Sequence, residues 1–354
     1  TGIRLLLQVL VMNWKERYTV DQANIDGFEV FTLQDIKRQA SAKIIPKLGN
    51  NCYSFTQTVG TESINIIEPP PDLKTLAQRP SGYGNPILFP FPNRIRQGHF
   101  LFEGKPYTFD KAPKSPNSIH GLVVDQPFDV DSTNTDDGAT IVCSLNSENY
   151  PHIKRQFPFT FQLKITYKLK SANLTMVTDV SNLSDYNMPM GYGIHPYFSI
   201  PLSRKSSAEN CLIFVPAAKY WELDQFLPTG HIYDVNGTFD LRTGKTFSGM
   251  KFDDVFTDLS LVDGVSRCII DDRGADTKMV LEADEQFREL VVYTPPDRAS
   301  ICFEPYTCPT DAVNLQERGI DAGLIILKPG QIFSCRIRIY ILNQNSSERI
   351  PANR

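Results

Sequence analysis

Between Phe161 and Lys170 every second residue is apolar: Phe161, Leu163, Ile165, Tyr167 and Leu169 alternate with Gln162, Lys164, Thr166, Lys168 and Lys170. An unbroken period of two suits a strand with one face on a core and the other in water. A helix cannot sort such a pattern, because its faces repeat every 3.6 residues. The same alternation starts at Phe28 to Leu33 and recurs over Leu174 to Val180, Phe287 to Tyr293 and Phe333 to Leu342. Turn signals punctuate the runs: Asp136-Asp137-Gly138, Asn236-Gly237, Asp263-Gly264 and Pro329-Gly330. Leu227-Pro228-Thr229-Gly230 and Val235 to Arg242 read as further turn and hairpin punctuation. Helical periodicity is confined to a short stretch, Pro71 to Ala77, with proline early, where its missing donor does no harm. With 25 prolines and 21 glycines there is little room for long helices. The chain therefore reads as all-β: one large antiparallel domain over residues 18–345, two sheets face to face, with long loops carrying the chemistry. Residues 1–17 read as an N-terminal extension and 346–354 as a tail.

The charge balance narrows the partners. With 36 basic and 40 acidic residues the net charge is −4, so no single-sign field points to nucleic acid or to a polybasic membrane patch. A weakly charged small molecule fits better. Seven cysteines, at 52, 143, 211, 268, 302, 308 and 335, show no C-x-x-C pair and no ligand spacing, which argues against zinc and against a disulfide framework. Their scatter and odd number favour a reducing, cytoplasmic compartment. The apolar run Ile3 to Met12 is about half a membrane span. It reads as a helix, a strand, or sequence ahead of a natural start at Met12 more readily than as a trimmed signal remnant.

Several segments break the strand pattern in ways that favour chemistry. Gly84 to Gly98 carries three prolines in seven residues, a rigid extended path that presents Asn93 and Arg94. An amide beside a guanidinium clamps hydroxyls well, although an arginine covering a sandwich rim would look the same. Ser118-Ile119-His120-Gly121 sets a histidine before a glycine at the end of a polar loop. Gly191-Tyr192-Gly193-Ile194-His195-Pro196-Tyr197-Phe198 holds His195 on a stiff, shaped segment, aimed at a partner or satisfied within a core. Asp253 and Asp254, in Phe252-Asp253-Asp254-Val255-Phe256, sit in a loop-like setting and either meet solvent or bind a ligand. Glu304 ends the apolar run Ile301-Cys302-Phe303, so a strand carries it inward, and burial would raise its pKa toward that of a useful base.

The Asn-Arg-Ile-x-x-Gly segment, the His-Gly, the Gly-x-His-Pro-Tyr-Phe, the Leu-Pro-Thr-Gly with its downstream Phe-Asp-Leu-Arg, and the late Glu-Pro-x-Thr occur in one order. Together they resemble the aldose 1-epimerases, also called galactose mutarotases, over residues 28 to 342, in a divergent bacterial-type branch. The resemblance implies a β-supersandwich with a sugar pocket on its concave face. It implies His195 as general acid and Glu304 as general base, with His120 and Arg94 binding and polarising the sugar beside Asn93. It also implies an aspartate that orients hydroxyls in an Asp-x-x-Phe motif, which Asp253 and Phe256 match and for which Asp254 competes. Gly121-Leu122-Val123 and Phe128 depart from the commoner pattern of a second glycine and a tryptophan, which bears on the sugar more than on the acid-base pair.

Interconverting α and β anomers of a hexose needs one proton taken from the C1 hydroxyl and one delivered to the ring oxygen. A carboxylate and an imidazole suffice, with neither metal nor redox cofactor. Which of His120 and His195 donates is left open. Two alternatives share the scaffold: a hexose 6-phosphate mutarotase, with Arg96 meeting the phosphate, and a carbohydrate-binding protein without turnover. A glycosidase fits less well, because a second flanking carboxylate has only Asp253 as a candidate.

Overall fold

In the computed structural model, which describes residues 17–343, Phe161–Lys170 pairs antiparallel with Ala139–Asn146 on one side and Asn173–Asn182 on the other. Its apolar positions are buried and its polar ones half-exposed, as the alternation requires. The expectations for residues 1–16 and for the tail 346–354 lie outside the described residues. Around this pair builds a nine-stranded sheet that continues through Ile332–Asn343, Thr277–Asp284 and Val265–Asp272 to short edge strands. A thirteen-stranded sheet faces it. Its order runs from Tyr18–Ile25 through Glu62–Ile67 to Tyr197–Ser199, Ser300–Tyr306, Glu289–Tyr293, Asp253–Leu259, Ala217–Asp224 and Leu227–Asp234.

The main core fills the space between the sheets. Ile301, Phe303, Leu290, Val292, Phe198 and Phe256 enter it from the larger sheet, and Leu163, Ile165, Ile337 and Leu281 from the smaller. Each such side chain contributes about 1.5–3 kcal/mol by leaving water. The larger sheet is unusual because its other face is also covered along the middle. There Trp221, Val255, Val291 and Tyr306 form a second apolar cluster with Ala312, Leu315 and Ala322, from the short helix Ala312–Glu317 and the loop after it. Ser300–Tyr306 is consequently buried at every position. That is why it reads as an apolar run rather than an alternation.

Four local expectations change. The short helix spans Leu73–Gln78, with Asp72 as its cap accepting from the Thr75 N–H at 2.7 Å, so Pro71 precedes the helix instead of opening it. The strand expected from Phe287 starts at Glu289. Asp253 and Asp254 lie in a strand, Asp253–Leu259, not in a loop. The Gly84 to Gly98 path is not extended throughout: Asn93 and Gln97 take positive φ, 58° and 53°, and a two-residue strand, Arg94–Ile95, lies between them. Asparagine tolerates that left-handed turn better than most residues.

Candidate active site

The strand register decides which residues meet. Gly193 is the partner of Tyr306 and Tyr197 the partner of Cys302. Both pairs belong to one antiparallel offset, and that offset sets His195 opposite Glu304. Their side chains touch, with Nε2 3.3 Å from Oε1. Continuing across the sheet, Cys302 pairs with Tyr293 and Tyr293 with Asp253. Side chains two residues apart on a strand share a face, so His195, Tyr197, Cys302, Glu304, Tyr306, Tyr293 and Asp253 all stand on the face turned away from the main core. Ile194, Phe198, Ile301 and Phe303, one residue off, belong to that core.

A second element brings the remaining groups over this face. Arg94–Ile95 pairs with Ser118–Ile119, Arg94 opposite Ile119, and the His120 N–H donates to the Asn93 carbonyl at 2.8 Å. His120 has φ 66°, and Gly121 after it has φ 74° with the Phe89 carbonyl oxygen only 2.1 Å from where a Cβ would stand. No other residue fits at Gly121. The turn points the His120 ring edge-on at His195, centroids 5.3 Å apart. Arg94 is held on three sides: Nη1 donates to Asn93 Oδ1 at 2.9 Å, Nη2 lies 3.7 Å from Asp253 Oδ2, and the guanidinium carbon sits 4.7 Å from the Phe226 ring centre. Six of the residues singled out by sequence, Asn93, Arg94, His120, His195, Asp253 and Glu304, therefore converge on one place. Asp254 does not join them. It projects to the core side of its strand, accepts from the Asp253 N–H at 3.2 Å, and shares that side with Phe256, which is wholly buried. Arg96 is also turned away, its Nε 3.6 Å from the buried Asp311 and its own N–H donating to the same carboxylate at 2.9 Å.

Burial dominates the electrostatics. It drives Glu304 well above the ordinary carboxyl value of 4.5, against the pull of the Tyr306 hydroxyl, which donates to Oε2. It drives His195 well below 6.5, and His120 down to about 3 with help from the Arg94 charge. Asp253 is raised by burial too, opposed by Arg94. Burial thus favours the uncharged forms of both His195 and Glu304. A neutral acid beside a neutral imidazole holds the same one proton as a carboxylate beside an imidazolium, so a single transfer across the 3.3 Å contact interconverts the two forms. His195, Cys302 and Glu304 also bring one possible metal ligand atom each within 4.8 Å of one another. Burial raises both the Cys302 thiol, well above 9.0, and the Glu304 carboxyl, so two of these three donors favour their protonated forms, which do not ligate a cation.

Sequence reasoning missed the aromatic frame. Tyr197 stacks on the His195 ring at 4.8 Å and 17°, Tyr293 meets that ring edge-on at 5.9 Å, and Arg298 lies 4.7 Å over Tyr197 while pairing with Glu68 at 2.8 Å. The available signal was the spacing of two: Tyr197 from His195, and Cys302 and Tyr306 from Glu304.

On the outer face of one sheet of a large antiparallel sandwich, a buried imidazole-carboxyl contact thus stands next to a second imidazole, a guanidinium, an amide and a further carboxylate. The family pattern described as aldose 1-epimerase matches residues 29–340, and the chain belongs to that family. A galactose mutarotase-like protein from Clostridium acetobutylicum is similar in structure at TM-score 0.85 and 27% identity, over 93% of this chain and all of that one. The galactose 1-epimerase of Lactobacillus acidophilus NCFM shares the fold at TM-score 0.72 and 17% identity, over 92% of this chain and 99% of its own. The uncharacterized protein YihR of Escherichia coli K12 is 23% identical over 266 residues, 74% of this chain and 80% of that protein.

Proposed function

We propose that this protein is an aldose 1-epimerase that interconverts the α and β anomers of a hexose by ring opening and closure. The observation that carries the reading is the contact of His195 Nε2 with Glu304 Oε1 at 3.3 Å, with His120 beside His195 and with Arg94 joined to Asn93 and Asp253 close by. In the working form Glu304 takes the proton of the C1 hydroxyl while His195 gives one to the ring oxygen. The C1–ring oxygen bond breaks, leaving an aldehyde at C1 and a hydroxyl on the carbon that carried the ring oxygen. C1 rotates, and the reverse transfers close the ring on its other face. The first half-reaction leaves Glu304 protonated and His195 neutral, the form that burial favours, and closure restores the starting pair.

Arg94 and His120 polarise the sugar oxygens, and Asp253 orients hydroxyls. Aiming both proton-transfer groups from paired strands removes the search for geometry, which contributes to the rate independently of their acidity. The phosphate alternative draws no support from Arg96, which is engaged with Asp311. Seven unpaired, buried thiols support a reducing, cytoplasmic setting. The test is the decay of optical rotation of freshly dissolved α-glucose and α-galactose, followed by glucose 6-phosphate. Acceleration of either free sugar in proportion to protein concentration upholds the reading. Acceleration of the phosphate alone replaces it with the phosphate alternative, and no acceleration of any of the three removes turnover.

A further inference from the structure

The hairpin formed by Ala217–Asp224 and Leu227–Asp234 closes on two residues, because Asp224 pairs directly with Leu227. Both tip residues take positive φ, Gln225 at 48° and Phe226 at 65°. Tight turns of this hand ordinarily use Asn-Gly or Asp-Gly, since a bulky side chain is strained in the left-handed region. Phenylalanine is a poor choice for the turn, and it does not serve the hairpin's own packing, being 51% exposed.

The strands just below the tip are pinned. Leu227 and Trp221 are buried, the Thr229 hydroxyl donates to Glu222 Oε2 at 2.7 Å, and Arg318 Nη2 donates to the Thr229 carbonyl at 2.6 Å. Such over-determined strain is characteristic of functional sites. The ring it positions lies 4.7 Å from the guanidinium carbon of Arg94, whose two terminal nitrogens face Asn93 and Asp253.

We propose that Phe226 is a substrate-positioning wall of the sugar site. One part of its ring fixes the plane of the Arg94 guanidinium, and the exposed part receives the apolar C–H face of a pyranose whose hydroxyls meet Arg94 and Asp253. The inference rests on the reading of this pocket as a sugar site. It adds the apolar contact that a rim of Asn93, Arg94, His120 and Asp253 lacks. Sugar would meet the ring equally in the ground state and at ring opening, so the contact acts on binding and not on the proton transfers.

The test separates these effects with three variants, each assayed by polarimetry on the free sugar that responds best. Phe226→Ala is expected to raise KM about tenfold, equivalent to ~1.4 kcal/mol, with kcat within about twofold. Phe226→Trp restores KM to within about threefold of wild type. Phe226→Gly raises KM as alanine does while increasing Tm by about 2 °C, because glycine relieves the turn. An unchanged KM in Phe226→Ala overturns the proposal. A Tm that falls by several degrees in Phe226→Gly also overturns it, since Phe226 would then be a packing residue. If the wild type shows no anomer exchange, the proposed activity fails separately, and calorimetric titration with the same sugar decides this point. A tenfold weaker affinity in Phe226→Ala upholds the wall, whereas equal affinity, or no sugar binding by the wild type, overturns it.

Discussion

Replacing Glu304 with glutamine isolates proton transfer from everything else this residue does. The side chain is 2% exposed, and burial shifts its carboxyl well above the ordinary 4.5, toward the protonated, uncharged form. Glutamine has the same shape and the same lack of charge. Its carbonyl can take the place of Oε2 as acceptor for the Tyr306 hydroxyl. No desolvated charge is lost and no cavity opens, so Tm should move by no more than about 2 °C. What disappears is the ability to carry a proton to and from the sugar. A positioned acid or base contributes about 10²–10⁴-fold, or ~2.7–5.5 kcal/mol of barrier. The assay is the initial decay of optical rotation of α-glucose or α-galactose, corrected for spontaneous exchange, with a thermal melt on the same sample. Glu304→Gln should lose at least a hundredfold in kcat with its melt in place. A variant that keeps wild-type kcat within threefold would refute the assignment of Glu304 to proton transfer. A melt lowered by many degrees would refute the argument that the group is uncharged at rest.

The other predictions divide between rate, binding and stability. Asp253→Asn should raise KM several-fold by uncoupling Arg94 from its 3.7 Å partner, while Asp254→Asn, on the core side, should leave KM unchanged; Michaelis curves on the two variants check this. Gly193→Ala would put a methyl 2.3 Å from Tyr306 Cδ1, displacing the ring that donates to Glu304, and should lower kcat at least tenfold; polarimetry compares it with wild type at saturating sugar. Glu289, on the same strand face and bound by the Trp221 N–H at 2.9 Å, is pushed by burial from 4.5 up to about 8. Above pH 4.5 the unfolded chain has released this proton and the folded chain has not, so stability falls as pH rises from 4.5 to about 8, by ~3 kcal/mol at pH 7. Glu289→Gln should flatten that fall, seen as a smaller difference in urea midpoint between pH 5 and pH 8. His120 has the opposite sign: depressed from 6.5 to about 3, it contributes stability that is present above pH 6.5 and lost as pH falls from there toward 3. His120→Asn should soften the acid side of the same urea series.

What is legible in the sequence follows from which faces are buried. Phe161–Lys170 and Asn173–Asn182 have one buried face, so their alternation can be read from the order of residues alone. Ser300–Tyr306 is buried on both faces, and its period of two vanishes into Ile301-Cys302-Phe303. Only the charge of Glu304 marks it. The same double burial explains why the pocket can be nominated residue by residue but not assembled. Tyr197, Cys302, Tyr293 and Asp253 form a row through strand pairs that no local pattern specifies, and the row exists only once the register is fixed.

Asp253 shows how a residue can be nominated from a setting that the structure corrects. Two adjacent aspartates suggest a loop, yet in a strand adjacency means opposite faces, and that alone separates the carboxylate that meets Arg94 from the one that does not. Phe226 is hidden for a further reason. Its environment depends on a left-handed turn that its sequence, Gln225-Phe226, argues against. Where local propensity and observed backbone disagree this strongly, the surrounding structure must hold the residue in place, and here what it holds is a ring against the pocket's arginine-carboxylate contact, Arg94–Asp253. The residues least predictable from sequence are therefore those whose positions depend on contacts made farthest along the chain, and in this protein Phe226 and Asp253 meet at Arg94.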